Sequence, residues 1–186
     1  MKLLPEILMH PHIPKPLHGV NPRSIMGQEK WDTVRQGAYR STDYHCIACG
    51  VAKSEAKKYQ WLEAHEYYKI NYKKGEVKII KIVPLCHYCH NFIHSGRLAM
   101  IIGDEKTEEE VIEILQHGFK ILAKNKLSCF PFTLEFAESL GVDTCNVVKY
   151  DLLHGEVEWS KWHLIYEGKK YYSKDKNIDE WRNRYA

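Results

Sequence analysis

The amino-acid sequence predicts an α+β protein from three patterns along its 186 residues. Two Cys-x-x-Cys pairs flank a stretch of β-branched and aromatic residues typical of a hairpin, a helical pattern follows, and a long amphipathic run begins the second half. The composition, 44% hydrophobic and 27% charged, is that of a globular chain able to bury a core. We expect three consecutive segments: an N-terminal arm with a short helix (1–43), a cysteine-braced domain (44–103) and a mixed helical and hairpin region (104–186).

The first half of the chain contains the candidate hairpin. Residues 1–30 are rich in Pro, His and Gly and predict an irregular arm that either lies over the domain or is mobile. Trp31–Tyr39 predicts a short helix. Strand-like residues then run from 59 to 85 and are interrupted by a turn-prone segment at 72–75. The sequence HYCHNFIHSGRLAMII, beginning at His87, has helical spacing.

The second half begins with a helix signal. Thr107 is followed three residues later by Glu110, which predicts a capping box. The apolar stripe behind it consists of Val111, Ile114, Leu115, Phe119 and Leu122. We further expect a short helix at 134–140, a hairpin with its turn at 167–169, and a helix after Asp179.

The charge of the chain is unevenly distributed. The net charge is +3, but residues up to Gly103 carry 15 Lys and Arg against 8 Asp and Glu, and eight of the eleven histidines. A site for an anion or a metal is therefore expected before residue 104. The apolar runs are far shorter than the ~20 residues that a membrane helix needs, and the N-terminus lacks a small-residue cleavage site. We expect a cytoplasmic protein with no membrane partner.

Four of the six cysteines form two Cys-x-x-Cys pairs, and paired thiols at this spacing predict a structural zinc site. Zn²⁺ prefers four thiolates in a tetrahedron, and Gly50 permits the sharp turn after the first pair. The predicted ligands are Cys46, Cys49, Cys86 and Cys89. The other two cysteines are expected to be small buried hydrophobes: Cys129 and Cys145.

Three histidines are expected beside this zinc. His65 lies on the first predicted strand, and His90 and His94 are four residues apart, so they share one helix face. Both can point at one ion or at one phosphate. His87, between the second pair of cysteines, is expected to be solvated.

The order of these motifs resembles the HNH nucleases. The motifs are CxxCG at 46–50, LEAHE at 62–66 and LCxxCHxxxH at 85–94, and the resemblance extends from Tyr44 to about Arg97. It implies a zinc-braced ββα-metal core, which would make 44–103 an HNH-like domain. It further implies metal-dependent hydrolysis of a phosphodiester, with DNA as the expected nucleic acid and Mg²⁺, Mn²⁺ or another divalent ion at the catalytic site.

Carrying the family's catalytic residues over leaves two alignments open. In one, His65 is a metal ligand and Glu66 stands where the base histidine belongs. In the other, His65 is the base and Ala64 stands at a ligand position. His90 is a metal ligand in both, whereas the asparagine of the motif is replaced by Lys81.

Three readings therefore remain. The first is an active endonuclease in which His65, His90 and His94 surround the ion, with Glu66 or Glu63 assisting catalysis. The second is a degenerate HNH scaffold that binds nucleic acid or a protein partner. The third is a three-histidine zinc site with another chemistry.

Basic residues support a nucleic-acid partner. Eight lysines and four acids lie between Lys53 and Lys81, interspersed with aromatic residues. The predicted phosphate contacts are Lys73, Lys74, Lys81 and Arg97. The acidic second half has no catalytic cluster, and nothing in the sequence indicates an oligomeric state.

Overall fold

The protein is described from a computed structural model that covers residues 1–150 and 157–185. The elements in chain order are α1 (Pro22–Met26), α2 (Gln28–Ser41), β1 (Glu63–Asn71), β2 (Glu76–Leu85), α3 (His87–Ile93), α4 (Ser95–Ile101), α5 (Glu108–Lys124), α6 (Pro131–Ser139), β3 (His163–Tyr166), β4 (Lys169–Tyr172) and α7 (Ile178–Tyr185). The predicted α+β class is confirmed. None of the helices in the described ranges is long and apolar enough to cross a membrane.

The chain folds into two compact units, each made of separate stretches of sequence. Among the described residues, the first unit comprises 1–12, 39–65 and 84–150, and the second comprises 13–38, 66–83 and 157–185. These units interleave along the chain, so they do not test the three consecutive segments expected from the sequence, and those segments stay a prediction.

The core of the first unit forms around α5. The predicted stripe is buried in full, with Val111, Ile114, Leu115, Phe119 and Leu122 all at 0% exposure. Phe92 of α3 packs edge-to-face on Phe119, with ring centroids 5.3 Å apart. Gly118 permits this approach, because a Cβ atom there would lie 2.0 Å from the Phe92 ring. Helices α3 and α5 are thereby held in direct contact.

A four-stranded sheet in the order β1-β2-β3-β4 provides the core of the second unit. β3 pairs in parallel with β2, with Val77 opposite Leu164, and antiparallel with β4, with Leu164 opposite Tyr171. The core residues are Leu17, Val20, Tyr68, Val77, Ile79, Trp162 and Leu164. The turn between β3 and β4 has positive φ at Glu167 and Gly168, as a two-residue hairpin turn requires.

The N-terminal arm is a correction to the sequence prediction. Instead of an irregular arm over residues 1–30, the structure has 3₁₀ turns at Pro5–Met9 and Lys15–Leu17, followed by α1. Each begins with a proline in its first two positions, where the missing N–H has no helical partner to lose. Ile7 and Leu8 are buried, so this arm is part of the core. The predicted short helix at 31–39 lies within the longer helix α2, Gln28–Ser41.

Candidate metal sites and cleft

Within the described ranges, two groups of side chains bring metal-ligating atoms within 4.8 Å of one another. The first is the predicted cysteine group, whose members are Cys46, Cys49, Cys86 and Cys89. Cys46 and Cys49 lie on a tight turn, in which the Gly50 N–H donates to the Cys46 carbonyl and Gly50 has a φ of +81°. Cys86 immediately precedes α3 and Cys89 lies in its first turn. A loop and a helix start thus supply two sulfurs each.

The cysteine group fits a zinc ion. In a tetrahedral site with Zn–S bonds of about 2.3 Å, two sulfurs lie about 3.8 Å apart. The Sγ atoms of Cys49 and Cys86 are separated by 3.8 Å, far beyond the ~2.05 Å of a disulfide.

These four thiols affect one another's ionisation. Hydrogen bonds with the other sulfurs, Cys46 first, lower the pKa of the Cys49 thiol. Hydrogen bonds with Cys46 and Cys49 raise the pKa of the Cys86 thiol, and burial raises that of Cys89. Four packed sulfurs cannot all be thiolates without a compensating charge, which a divalent ion supplies.

One partner of this group was not foreseen. The Nε2 atom of His117, on α5, lies 3.4 Å from Cys89 Sγ, where its N–H can donate to the sulfur. Such outer partners orient the ligands of a metal site. In sequence, His117 lies between the buried Leu115 and Phe119 of the apolar stripe. A histidine at that position was the one sequence signal that could have indicated this contact.

The second group consists of the three predicted histidines, His65, His90 and His94. Their ring centroids lie 5.3 Å apart for His65 and His90, 5.0 Å for His65 and His94, and 4.7 Å for His90 and His94. His65 is buried at 1% exposure, and neither ring nitrogen has a hydrogen-bond partner among the described residues. A buried imidazole without partners is costly, so an ion is a fitting occupant of the space between the three rings.

The two helical histidines meet although the predicted helix is broken. α3 ends and α4 begins at His94, which has φ −89° and ψ 35°. The His94 N–H still donates to the His90 carbonyl, and the Leu98 N–H to the His94 carbonyl. The i, i+4 relation between His90 and His94 therefore survives the break.

Burial keeps the His65 and His94 imidazoles neutral. It lowers the pKa of His94 to about 3, with the charge of His90 as a second cause. Burial likewise lowers the pKa of His65 well below its ordinary value and that of His10, whose ring centroid is 6.3 Å from that of His65, to about 4. Neutral imidazole is the form that binds metals.

These shifts predict that acid destabilises the protein and that His94→Gln makes its stability less sensitive to pH. The unfolded chain protonates His94 near pH 6.5, whereas the folded chain does so near pH 3. The unfolded state therefore binds more protons in this window, and the free energy of unfolding falls as the pH falls. For one such group the loss between pH 6.5 and 4.5 is at most about 3 kcal/mol.

Urea unfolding at a series of pH values, with no divalent ion added, measures this effect. The free energy of unfolding of the wild type should fall more steeply below pH 6.5 than that of His94→Gln. Parallel pH dependences would contradict a buried neutral His94.

Glu63 links the histidine group to a further histidine. The Nδ1–H of His90 donates to one carboxylate oxygen at 2.6 Å, and that of His87 donates to the other at 2.7 Å. Burial raises the pKa of Glu63, but the hydrogen bonds with His87 and His90 outweigh it and lower the pKa to about 2. The bond to Glu63 leaves Nε2 of His90 as the lone-pair nitrogen, which is how carboxylates orient metal-binding histidines.

His87 corrects the expectation of a solvated residue. It is buried at 8% exposure, and its Nε2 accepts a hydrogen bond from Lys106 Nζ at 3.0 Å. Lys106 in turn pairs with Glu110, which also pairs with Lys58 at 2.8 Å. The Glu110 carboxylate is thus bound by two lysines and does not complete the predicted capping box. Only the first half of the box forms: the Thr107 hydroxyl accepts a hydrogen bond from the Glu110 N–H.

A cleft of about 430 Å³ opens beside the histidines. Its lining consists of Tyr59, Glu63, His87, His90, Asn91, His94, Arg97, Glu105 and Lys106. Arg97 is exposed and pairs with Glu105 at 2.7 Å. Two of the three clustered histidines therefore face a polar cleft, which also contains one of the predicted phosphate contacts.

The other predicted site residues are placed as follows. Glu66 is half-buried and directly follows His65 on β1, so the two side chains point to opposite faces of the strand. Lys73 and Lys74 are exposed in the turn between β1 and β2, where both backbone N–H groups donate to the Asn71 side chain. Lys81 is exposed on β2, with Nζ 5.7 Å from the centroid of the Tyr67 ring.

Comparisons with family models, curated proteins and solved structures give no match for this chain. The two ligand groups, the Glu63 carboxylate and the cleft are therefore the observations from which a function can be inferred.

Proposed function

We propose that the protein is a zinc-braced, metal-dependent endonuclease of the HNH type that hydrolyses phosphodiester bonds in DNA. The observation that carries this proposal is the convergence of His65, His90 and His94 within 4.8 Å, with His90 and His94 on the wall of a cleft. The consecutive order β1, β2, α3, with ligands on the first strand and the helix, supports the family resemblance of the sequence.

In this proposal the three imidazoles hold one divalent ion. Of the two alignments left open by the sequence, the grouping favours His65 as a ligand over His65 as a base, because its two nitrogens are buried. A bound divalent ion supplies charge stabilisation for the scissile phosphate and lowers the pKa of bound water. Glu63 holds the His90 ring in place, and Arg97 binds a second phosphate oxygen by exchanging its exposed pairing with Glu105.

Glu66 is the general base that the sequence predicts, but its orientation on β1 argues against that role. Its side chain points away from the face of β1 that carries His65. Glu63 is on the His65 face, but a carboxyl group with a pKa near 2 is a weak base. The chain therefore contributes positioning and charge more clearly than it contributes a base.

The decisive test is incubation of the purified protein with supercoiled plasmid in Mg²⁺ or Mn²⁺. We expect nicked or linear product that disappears when EDTA is added. Intact plasmid under every divalent ion tested, with zinc bound to the cysteines, would refute the nuclease proposal.

A degenerate scaffold is the second candidate function. It is favoured by Lys81 in the place of the family's asparagine and by the orientation of Glu66. Such a scaffold would bind DNA in a salt-sensitive way, and binding would survive alanine at both His65 and His90. Cleavage that depends on these two residues would exclude it.

The lysines of the β1–β2 turn are expected to contribute to DNA affinity. Both are exposed and lack an acidic partner among the described ion pairs. Substituting glutamine at Lys73 and Lys74 together should flatten the slope of log K against log salt by nearly two, since each phosphate contact contributes about 0.9. The slope is measured by fluorescence anisotropy with a labelled duplex at salt concentrations from about 50 to about 200 mM.

The matched control is glutamine at Lys120 and Lys124, two exposed lysines of α5. It removes the same charge and should leave the salt slope closer to that of the wild type. If both double variants change the slope equally, the turn lysines act only through net charge.

A further inference from the structure

A stacked aromatic pair adjoins the cleft. The rings of Tyr59 and Trp61 are nearly parallel, with an interplanar angle of 5° and centroids 4.1 Å apart. Tyr59 is part of the cleft lining, and Trp61 lies two residues before Glu63, which is also part of that lining. Trp61 nevertheless leaves 49% of its surface exposed. Tyr59 thus covers one face of the indole ring, while half of this large apolar side chain remains in water.

The pair is fixed to the candidate site by a chain of contacts. The Tyr59 ring meets the His87 ring edge-to-face, with centroids 4.8 Å apart. His87 in turn donates to Glu63, which also accepts from His90. The aromatic pair is therefore held in a defined position relative to the candidate metal ligands, unlike an exposed tryptophan on an unsupported loop.

Cations lie near Tyr59 and along the adjoining cleft. Lys58 Nζ lies 5.9 Å from the Tyr59 ring centroid, and Arg97 and Lys106 line the cleft. Each of these cations pairs with a glutamate in the structure: Lys58 and Lys106 with Glu110, and Arg97 with Glu105. Of these pairs, Arg97–Glu105 is exposed on both sides. Exposed ion pairs are weak, so the Arg97 guanidinium can exchange its carboxylate for a phosphate.

An exposed aromatic face next to phosphate-binding groups matches one chemistry in particular. A nucleobase has a π-face of similar size, and stacking on aromatic side chains is a major source of affinity for single strands. In a duplex both faces of every internal base are covered by neighbours, so only an unpaired base can extend the stack.

We propose that Trp61 and Tyr59 form a base-stacking subsite and that the cleft accepts single-stranded or locally unpaired nucleic acid. An unpaired base lies on the open face of Trp61, while the phosphate next to it enters the cleft toward His90 and Arg97. This inference rests on the proposed function, since it specifies the substrate of the same site, but the binding it describes does not require turnover.

Binding of a thymidine oligonucleotide to the zinc-loaded protein tests the proposal. Titration is monitored by fluorescence anisotropy in Ca²⁺, which serves as the divalent ion in place of Mg²⁺ or Mn²⁺. Trp61→Ala is expected to weaken binding by about 5- to 150-fold, the range for loss of one base stacked on an aromatic ring. Trp61→Phe, which keeps an aromatic face, should retain most of the affinity.

An oligonucleotide of the same length with abasic sites separates stacking from phosphate contact. It keeps every phosphate, so wild type and Trp61→Ala should bind it equally and weakly. Tyr172→Ala is the matched control, because Tyr172 is a similarly exposed aromatic residue of β4, at 56% exposure. It should bind the thymidine oligonucleotide as the wild type does.

Either of two results for Trp61→Ala would overturn the subsite: unchanged affinity for the thymidine oligonucleotide, or an equal loss on the abasic one. No binding of single strands by the wild type would overturn it as well. These outcomes are distinct from failure of the nuclease proposal. Base-dependent binding through Trp61 without any metal-dependent cleavage would support the subsite and refute the nuclease. Cleavage that is unaffected by Trp61→Ala would support the nuclease and refute the subsite.

Discussion

Replacing His90 with alanine is expected to reduce metal-dependent plasmid cleavage by at least about 100-fold. Loss of an outer partner alone typically costs 10- to 100-fold in metal affinity or activity, and loss of a ligand costs more. His90 is the residue on which the candidate site depends most. It lies near His65 and His94, it faces the cleft, and its hydrogen bond to Glu63 fixes the orientation of its ring. The variant leaves two imidazoles, which are too few to hold a divalent ion firmly.

Initial rates of nicking at saturating Mn²⁺ provide the measurement. Lys120→Ala is the control, since Lys120 is exposed on α5 and belongs to neither ligand group, and it should cleave within about twofold of the wild type, as surface substitutions usually do. Both variants should retain zinc and the circular dichroism of the wild type. Equal cleavage by His90→Ala and the wild type would remove the histidine group from the mechanism.

Replacing Cys46 with serine is expected to remove the zinc and to unfold the first unit. Structural zinc contributes an apparent 10–16 kcal/mol in zinc-finger peptides, as much as the entire free energy of unfolding of a typical domain. Cys46 is completely buried, and its group joins the 46–50 turn to the start of α3. A hydroxyl in its place leaves three thiolates around an ion that needs four donors.

Zinc content by elemental analysis and the thermal midpoint by circular dichroism measure the effect. Wild type should contain about one zinc per chain, and the variant should contain little and melt at a much lower temperature. Cys145 is partly exposed, not buried as the sequence predicted, and lies outside the group, so Cys145→Ser should keep both values. A zinc-free wild type with a normally folded Cys46→Ser would refute the structural zinc.

Local spacing was enough to predict which cysteines lie together, that His90 and His94 are neighbours, and where the apolar stripe runs. A Cys-x-x-Cys turn, two histidines four residues apart and an apolar stripe on α5 are each determined by nearby residues. The contacts made by Glu63 could be foreseen only in part. Alternation along β1 places Glu63 on the same face as His65, but nothing local indicates that α3 brings His87 and His90 to its carboxylate.

The predictions that failed concern residues whose environment is set by distant elements. His87 was expected in solvent because it lies between two cysteines in sequence, yet Lys106 and Glu63 enclose it. The N-terminal prolines predicted irregular structure, yet they start short helical turns that pack Ile7 into the core. In each case tertiary contacts decided the outcome, and these leave no period in the sequence.

The parallel pairing of β2 with β3 has a consequence for how the protein is made. Val77 and Leu164 are neighbours in the sheet although nearly half of the chain separates them. Closing so large a loop is slow, and during synthesis β2 emerges long before its partner. The nascent chain therefore exposes an unpaired strand edge bearing Val77 and Ile79 until β3 and β4 leave the ribosome, and in that interval it is most open to aggregation and to capture by chaperones.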